Sequence, residues 1–338
     1  MKTLDLLTLG EIMLRLSAPS DERLVRGNTF LRQAGGAELN VAAGAALLGL
    51  RTGIITKLPA NNLGKYIRNC ITACGLSTDY LIYDTEEDAR LGVYYYEFGA
   101  SPRKPSVVYD RKNTSVNKLK LSEIPEDLYT NTRCFHVSGI SLALGAALRE
   151  TVIELIRQFK KGGAKISFDV NYRANLWSGA EAKETIEQIL PYVDYFFCSE
   201  STARLTFLKE GTLPEIMKSF TRDYPISVVA ATRRTVHSPK LHSFDSLVYD
   251  AKRDCFYEEE PYKNIDIVDR LGSGDAYLSG ALFGLLSENG DCQKALEFGN
   301  AASAIKNTTM GDLPTSDYEE LCSVIREHKS SQHLELNR

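Results

Sequence analysis

The segment Asp269-Arg270-Leu271-Gly272-Ser273-Gly274-Asp275 runs directly into residues 276–282, a stretch typical of a helix. The N-terminus of a helix binds anions, because its first backbone N–H groups have no partner in the helix and the macrodipole is positive there. Gly272 and Gly274 carry no side chain that would keep a phosphate away from these amides. The segment therefore predicts a phosphate site at the start of a helix.

Asp275 lies in the same turn as these glycines. A carboxylate is an unexpected neighbour in a site that only holds an anion. It suits a site where a proton is taken from a hydroxyl group that attacks the phosphate, so the combination favours a kinase. A purely structural interpretation also exists, in which Asp275 caps the helix and the glycines allow close packing.

The composition is that of an ordinary soluble protein. Of 338 residues, 43% are hydrophobic and 25% are charged, and no apolar run is long enough to cross a bilayer. The net charge of −4, with scattered basic residues, argues against nucleic acid as a partner. Seven cysteines without a Cys-x-x-Cys pair are typical of a reducing cytoplasm, and residues 1–10 are expected to form a strand and not a signal peptide. We therefore expect a cytoplasmic protein that does not contact membranes.

Short apolar runs alternate with amphipathic stretches along most of the chain. This rhythm predicts an α/β fold over residues 1–330, a single domain with a doubly wound, mostly parallel sheet flanked by helices. Ligands of such sheets bind beyond the carboxyl ends of the strands, where Asn171-Tyr172-Arg173 and Ser199-Glu200 lie. Residues 331–338 are expected to be a disordered tail. The predicted strands contain residues 6–9, 54–56, 135–137, 166–169, 195–197 and 226–229.

Two β-rich stretches interrupt this rhythm, residues 90–98 and 106–111, with a turn at 99–105 between them. We expect them to join an alternating segment near the N-terminus in a small β-sheet lid, formed by about 11–33 and 88–113. An isolated hairpin is barely stable, so its apolar face needs the core, a substrate or a second subunit. The lid is therefore a candidate dimer interface, and we expect a homo-oligomer.

Two motifs resemble those of one enzyme family. Gly35-Gly36-Ala37-Glu38-Leu39-Asn40 resembles the N-terminal signature of the ribokinase-like (PfkB) sugar kinases, and residues 269–275 resemble their C-terminal signature. The likeness spans nearly the whole chain and is greatest to the 2-keto-3-deoxygluconate kinases, where Arg is familiar at the position of Arg270. The resemblance implies a ribokinase-like fold and transfer of the γ-phosphoryl group of ATP, with Mg²⁺, to the terminal hydroxyl of a sugar.

The resemblance also implies roles for individual residues. Asp275 is expected to be the general base, and the amides of Gly272, Ser273 and Gly274 are expected to form the anion hole. Because Asp275 lies near a helix N-terminus, we expect its pKa to be lowered, which would make it a weak base. Arginine suits a carboxylate substrate, which it binds through two parallel hydrogen bonds. The expected sugar-acid site comprises Gly35, Gly36, Asn40, Tyr94, Tyr109, Arg111, Arg173, Asp275 and Asp312.

The nucleotide is expected to contact Ser199, Thr232, Arg233, Gly272 and Gly274. Two segments depart from the family pattern, since residues 199–202 replace Asn-x-x-Glu and residues 231–236 replace a Lys-x-Gly-x-x-Gly loop. A solvated loop is the alternative interpretation of residues 231–236. Mg²⁺ is expected mainly through ATP and water, with Glu200 organising its hydration shell and no direct protein ligand.

The leading hypothesis is an ATP- and Mg²⁺-dependent kinase that converts 2-keto-3-deoxygluconate to its 6-phosphate. A fructokinase or another neutral-sugar kinase is an alternative, against which Arg111 and Arg173 argue. A non-catalytic sugar-binding protein on the same fold is another alternative, which the altered nucleotide segment favours and the intact Asp275 opposes. A nicotinamide-dependent oxidoreductase is excluded, because no Gly-x-Gly-x-x-Gly follows the first strand.

Overall fold

A computed structural model describes residues 2–19, 22–287 and 290–330; the expected tail at 331–338 lies outside the described residues. The strands are β1 (Leu4–Leu9), β2 (Met13–Ser17), β3 (Leu31–Gly35), β4 (Thr52–Pro59), β5 (Leu81–Asp84), β6 (Gly92–Glu97), β7 (Ser106–Asp110), β8 (Thr132–Ser138), β9 (Lys165–Asp169), β10 (Tyr195–Phe197), β11 (Val228–Ser238), β12 (Leu241–Asp250), β13 (Cys255–Tyr257) and β14 (Tyr262–Asp266). The helices are α1 (Ala37–Leu47), α2 (Asn62–Ala73), α3 (Asp127–Asn131), α4 (Gly139–Ala143), α5 (Ala146–Lys161), α6 (Gly179–Glu187), α7 (Glu200–Leu205), α8 (Leu213–Asp223), α9 (Ser273–Leu286), α10 (Cys292–Asn307) and α11 (Tyr318–Ser330).

The main sheet runs in the order β13-β12-β11-β10-β9-β8-β1-β4-β5, with β14 beside β12. The strands from β11 to β5 are parallel, and β12 pairs with β11, β13 and β14 in antiparallel register. Parallel neighbours require helical crossovers that cover both faces, so the central strands are buried along their length, as β1 is. The predicted α/β fold is confirmed, and each predicted strand segment overlaps a strand.

Two kinds of helix surround this sheet. In α5, apolar residues recur at spacings of three or four, namely Leu148, Val152, Leu155 and Phe159, and this stripe packs into the core. Helices α1 and α9 are instead buried on almost every side and pack against each other. The N-termini of these two core helices carry the two sequence motifs, so the motifs meet at one edge of the sheet.

The segment at residues 231–236 is not a loop. It lies within β11, which pairs with β12 along a long hairpin, and this interpretation of the sequence was wrong. Alternation along the strand places Thr232 and Arg233 on opposite faces of the sheet.

A second sheet, in the order β3-β2-β6-β7, corresponds to the expected lid, with β3 extending to Gly35. Its inner face carries Met13, Tyr94 and Tyr96 in a buried cluster. Apolar side chains remain exposed elsewhere on it, including Leu31 and Val108, and the dimer interface stays a prediction. Across the described parts of the chain, every helix is too short or too polar to span a membrane.

Candidate active site

The motif at residues 269–275 forms a tight turn at the start of α9. Gly272 has φ 80°, in the left-handed region, and a Cβ atom there would lie 2.0 Å from the carbonyl oxygen of Asp312. The Ser273 amide donates to the Arg270 carbonyl at 3.3 Å, whereas the amides of Gly272 and Gly274 have no acceptor among the described residues. Two of the three expected anion-hole donors are therefore available for an anion.

Asp275 lies in the first turn of α9 and is tied to α1. The Asn40 side chain donates from Nδ2 to Asp275 Oδ2 at 2.7 Å. Burial raises the pKa of Asp275 to about 7, outweighing the hydrogen bond from Asn40 and the charge of Arg173, which both lower it. The expectation of a lowered pKa was wrong, because removal of the carboxylate from water dominates over the helix terminus. An Asp with this pKa can accept a proton near neutral pH.

A second carboxylate, Asp169, lies at the carboxyl end of β9. Burial, followed by the negative charge of Asp275, raises its pKa to about 7. The Asn171 amide donates to Asp169 Oδ1 at 3.2 Å, and Asn171 itself has φ 36°, a left-handed conformation unusual for a side-chain-bearing residue. This turn leads to Arg173. The Arg173 side chain lines two cavities, one that includes Asp169 and one that includes Asp275.

The predicted sugar-binding residues surround one cavity between the lid and the two core helices. Of the nine, eight line it directly: Gly36, Asn40, Tyr94, Tyr109, Arg111, Arg173, Asp275 and Asp312. The ninth, Gly35, lies beside it, since a Cβ atom at Gly35 would lie 2.6 Å from Asp312 Oδ2 and 2.7 Å from the Tyr94 hydroxyl. Residues from distant parts of the sequence therefore meet at one site.

Tyr94 and Asp312 form a buried pair at this cavity. The Tyr94 hydroxyl donates to Asp312 Oδ2 at 2.5 Å. Burial, together with the charge of Asp312, raises the pKa of Tyr94 well above its usual value, so the phenol stays protonated and keeps donating. Asp312 is 8% exposed and paired within the protein, so it is not a solvated loop acid.

The two arginines at this cavity differ in their partners. Arg111 donates through Nε and Nη2 to Glu11 Oε2, at 2.9 and 2.5 Å, and Thr114 donates to the other oxygen of Glu11 at 2.6 Å. One edge of the Arg111 guanidinium is thus already occupied by a carboxylate. Arg173 has no carboxylate partner in the described chain, and the only hydrogen bond of its side chain there is from Nη1 to the carbonyl of Tyr172, at 3.2 Å.

A neighbouring cavity, which we call the nucleotide-side cavity, has among its lining residues Ser199, Thr202, Thr232, Gly274, Asp169, Tyr277 and Arg173. Ser199 caps α7, accepting from the Thr202 amide at 3.2 Å. Arg233 does not line this cavity and instead pairs with Asp245 at 2.5 Å. Of the five predicted nucleotide residues, the structure brings together Ser199, Thr232 and Gly274, places Gly272 at the sugar-side cavity and leaves Arg233 outside both.

The described residues contain no cluster of three His, Cys, Asp or Glu side chains that could hold a metal ion. The Glu200 carboxylate is half-exposed and paired with Arg204, with Nη2 2.6 Å from Oε1, and does not line the nucleotide-side cavity. The cavity is lined by the hydroxyl-bearing side chains of Ser199, Thr202, Thr232 and Tyr277 and by one carboxylate, Asp169, so a Mg²⁺ ion there would take most of its ligands from phosphate and water.

Sequence reasoning did not identify Asp169 or Arg15 as site residues. Asp169 ends a predicted strand, and that position was a usable signal. Arg15 lies on the same face of β2 as Met13 and Ser17, a face that alternation alone would assign to solvent. In the structure this face is buried against the core.

Comparisons with known proteins agree with this geometry. Residues 3–317 match the family described as pfkB family carbohydrate kinase. The 2-dehydro-3-deoxygalactonokinase of Haloferax volcanii is 33% identical, covering 96% of this chain and 97% of the relative. The 5-dehydro-2-deoxygluconokinase of Bacillus subtilis is 27% identical, covering 94% of each chain. The crystal structure of 2-dehydro-3-deoxygluconokinase from Thermotoga maritima superimposes with a TM-score of 0.90 at 33% identity, covering 96% and 99%. The chain therefore belongs to the pfkB family of carbohydrate kinases and is an ATP-dependent sugar kinase.

Proposed function

We propose that this kinase transfers the γ-phosphoryl group of ATP to the terminal hydroxyl of 2-keto-3-deoxygluconate and releases the 6-phosphate. The observation that carries the proposal is the presence in one cavity of Asp275 and of Arg173, whose guanidinium has no carboxylate partner within the described chain. Asp275 accepts the proton of the hydroxyl, and Arg173 supplies the positive charge that a sugar acid requires. The names of the three relatives above, each a kinase of a dehydro-deoxy sugar acid, support this substrate class.

On the sugar side, Gly35 and Gly36 leave room for the substrate beside α1. Asn40 is 1% exposed, and its Oδ1 atom has no hydrogen-bond partner in the described structure, so it suits a sugar hydroxyl as donor. Asp312 and Tyr94 present two further acceptors, because the Tyr94 hydroxyl donates its proton to Asp312 and its oxygen can still accept from a sugar hydroxyl. Tyr109 is partly exposed at the cavity mouth and covers the substrate there.

The carboxylate of the substrate binds Arg173, with Arg111 in support. Since Glu11 occupies the Nε–Nη2 edge of Arg111, only the Nη1 group and the second N–H of Nη2 remain for the substrate. The Nε–Nη2 edge of Arg173 makes no hydrogen bond within the described chain, and Arg173 also lines the nucleotide-side cavity. We therefore assign the larger share of acid recognition to Arg173.

In the transfer step, Asp275 takes the proton from the terminal hydroxyl as the oxygen attacks phosphorus. The amides of Gly272 and Gly274, with Ser273 between them, stabilise the charge on the transferring group. Ser199 and Thr232 hold the nucleotide phosphates from the opposite side, in the cavity that Gly274 shares. Mg²⁺ bound to ATP neutralises phosphate charge during transfer.

The pH dependence of the reaction tests the base. Below its pKa of about 7, Asp275 carries a proton and cannot accept another, so kcat/KM is expected to fall as the pH decreases through 7 and to level off above it. Direct measurement of ADP between pH 5.5 and 9 checks this profile without coupling enzymes. A profile that stays flat down to pH 5.5 would contradict the assignment of Asp275 as the base.

The two arginines are expected to respond differently to truncation. Arg173→Ala should raise KM for the sugar acid about 10- to 100-fold, the loss of one charge-assisted interaction of about 1.5–3 kcal/mol, with KM for ATP less affected. Arg111→Ala leaves Glu11 buried without its cation and should also destabilise the fold, by about 3–5 kcal/mol. Steady-state kinetics and thermal unfolding of both variants measure these effects. Equal increases in KM for fructose and for the sugar acid would contradict the assignment of these arginines to carboxylate recognition.

The galactonate epimer is a second candidate substrate, which the Haloferax volcanii relative favours. ADP release across a panel of 2-keto-3-deoxygluconate, 2-keto-3-deoxygalactonate, 5-keto-2-deoxygluconate, fructose and ribose tests the proposal. We expect the highest kcat/KM for a 2-keto-3-deoxy acid. A neutral sugar as the best substrate would overturn the proposal, although the protein would remain a sugar kinase.

A further inference from the structure

Arg15 is a fully buried arginine on the lid strand β2, with a side chain that is 0% exposed. Its Nη1 atom donates to Asp312 Oδ1 at 2.5 Å, and its Nη2 atom lies 2.6 Å from Asp269 Oδ2 as an ion pair. Its Nε atom donates to Ser17 Oγ at 2.7 Å, and its guanidinium lies 4.6 Å from the centre of the Tyr96 ring. Each guanidinium nitrogen therefore has a polar neighbour inside the protein, with hydrogen bonds from Nη1 and Nε and an ion pair alone at Nη2.

The two carboxylates that Arg15 bridges control different parts of the site. Asp269 accepts from the Leu271 amide at 3.1 Å and from the Gly311 amide at 3.1 Å, which fixes the turn that leads into Gly272. Asp312 accepts the Tyr94 hydroxyl through its second oxygen and places its carbonyl against Gly272. Arg15 is thus the shared cation between the lid, the sugar-side acid and the anion-hole turn.

Arginine suits this position better than lysine does. Its planar fork presents separate N–H groups in fixed directions, so one side chain can contact two carboxylates and a hydroxyl at once. A lysine ammonium keeps the charge but is a single point with flexible donors. Without Arg15, the two buried carboxylates would face each other with only the buried Lys306, which donates to the Asp269 carbonyl at 3.3 Å, as a nearby cation.

We propose that Arg15 is a positioning residue that couples the lid to the anion-hole turn, so that the sugar hydroxyl and the transferring phosphoryl group are held in register. The inference rests on the proposed roles of Asp312, Tyr94 and the turn at Gly272. Arg15 itself has no exposed atom with which to touch the substrate. It acts through Asp269 and Asp312.

The test compares Arg15→Lys with Arg51→Lys. Arg51 also forms a two-point pair with a carboxylate, since Nε and Nη2 lie 2.9 and 3.1 Å from the oxygens of Asp5, but it lines neither cavity. Arg15→Lys is expected to lower kcat/KM for 2-keto-3-deoxygluconate about 10²-fold, with both kcat and sugar KM changed and ATP KM nearly unchanged. Arg51→Lys should leave all three constants unchanged. If Arg15→Lys lowers only the thermal midpoint, with unaltered kinetic constants, the proposal is wrong.

Ser17→Ala is a milder second variant, in case Arg15→Lys does not fold. It removes the acceptor of the Nε bond but keeps the guanidinium, and a smaller loss in the same constants is expected. Wild-type kinetics at Ser17→Ala would overturn the proposal if Arg15→Lys is unfolded.

A measurement without sugar separates this inference from the proposed substrate. Hydrogen exchange of the free enzyme should accelerate both in β6, residues 92–97, and in the turn at 269–274 for Arg15→Lys, and in neither for Arg51→Lys. Inactivity of the wild type towards sugar acids would refute the proposed substrate but leave this readout valid. Acceleration in only one of the two segments would refute the coupling even if the substrate is right.

Discussion

Substitution of Asp275 by Asn is expected to lower turnover by about 10²–10⁴-fold and to leave the protein folded. Asn keeps the size of the side chain and can still pair with Asn40 after an amide rotation, but it cannot accept a proton at neutral pH. The carboxylate is partly buried and its pKa is raised, so loss of its charge should leave the thermal midpoint unchanged or higher. The affinity for ATP should stay close to that of the wild type.

Asp291→Asn is the matched control for this variant. Asp291 caps α10 by accepting from the Lys294 amide at 3.1 Å, so it has the structural role that the alternative interpretation gives to Asp275. Asn is also a good cap, and Asp291→Asn should change neither turnover nor stability appreciably. If Asp275→Asn behaves like this control, Asp275 is only a cap and the mechanism is wrong. Asp275→Glu, with a displaced carboxylate, should retain more activity than Asn if the charge itself is what matters.

The anion-hole turn and its partner helix were predictable from the sequence because their signals are local. Glycines at 272 and 274 followed by an apolar helix indicate an open helix N-terminus whatever surrounds it. The motif at residues 35–40 similarly precedes a core helix, and Asn40 does reach Asp275. The order of the βα units predicted where the other site residues would lie, since parallel strands bring their carboxyl ends to one edge of the sheet.

Other features depend on which surfaces meet, which no local pattern records. Arg15 lies on the polar face of an amphipathic strand, and only the packing of the lid on the core turns that face inwards. Thr232 and Arg233 are neighbours in sequence, but the strand sends them to opposite faces, so only one of them lines the cavity. The pKa of Asp275 likewise follows from burial between two helices and not from its position at the helix terminus.

Together these contacts give the site two opposed requirements. Asp275 must be shielded from water so that its pKa is high enough for a base near pH 7. The neighbouring turn must nevertheless keep its amides exposed for an anion. Asn40 partly reconciles them, since it donates to Asp275 from the sugar side and leaves the amides of Gly272 and Gly274 free. Disturbance of the turn should therefore damage catalysis without altering the base directly.

Gly272→Ala is expected to lower kcat about 10²–10³-fold, the range typical of a lost oxyanion-hole donor. The added Cβ atom would lie 2.0 Å from the backbone oxygen of Asp312, so no side-chain rotation relieves the contact and the turn or the 311–312 loop must shift. Either shift moves the amides away from the transferring phosphoryl group. The residue would also adopt φ 80°, which disfavours any side chain.

Gly75→Ala separates the effect of a side chain at positive φ from the effect of the steric contact with Asp312. Gly75 has φ 78°, nearly that of Gly272, but a Cβ atom there meets nothing within 4 Å, so this variant carries the backbone cost alone. It should lower the thermal midpoint slightly and leave kcat unchanged.

Gly274→Ala provides the opposite case, since Gly274 also has open space but lines the nucleotide-side cavity. Its added methyl group should raise KM for ATP without unfolding the protein. If Gly272→Ala loses no more activity than Gly75→Ala, the turn at Gly272 does not hold the phosphoryl group.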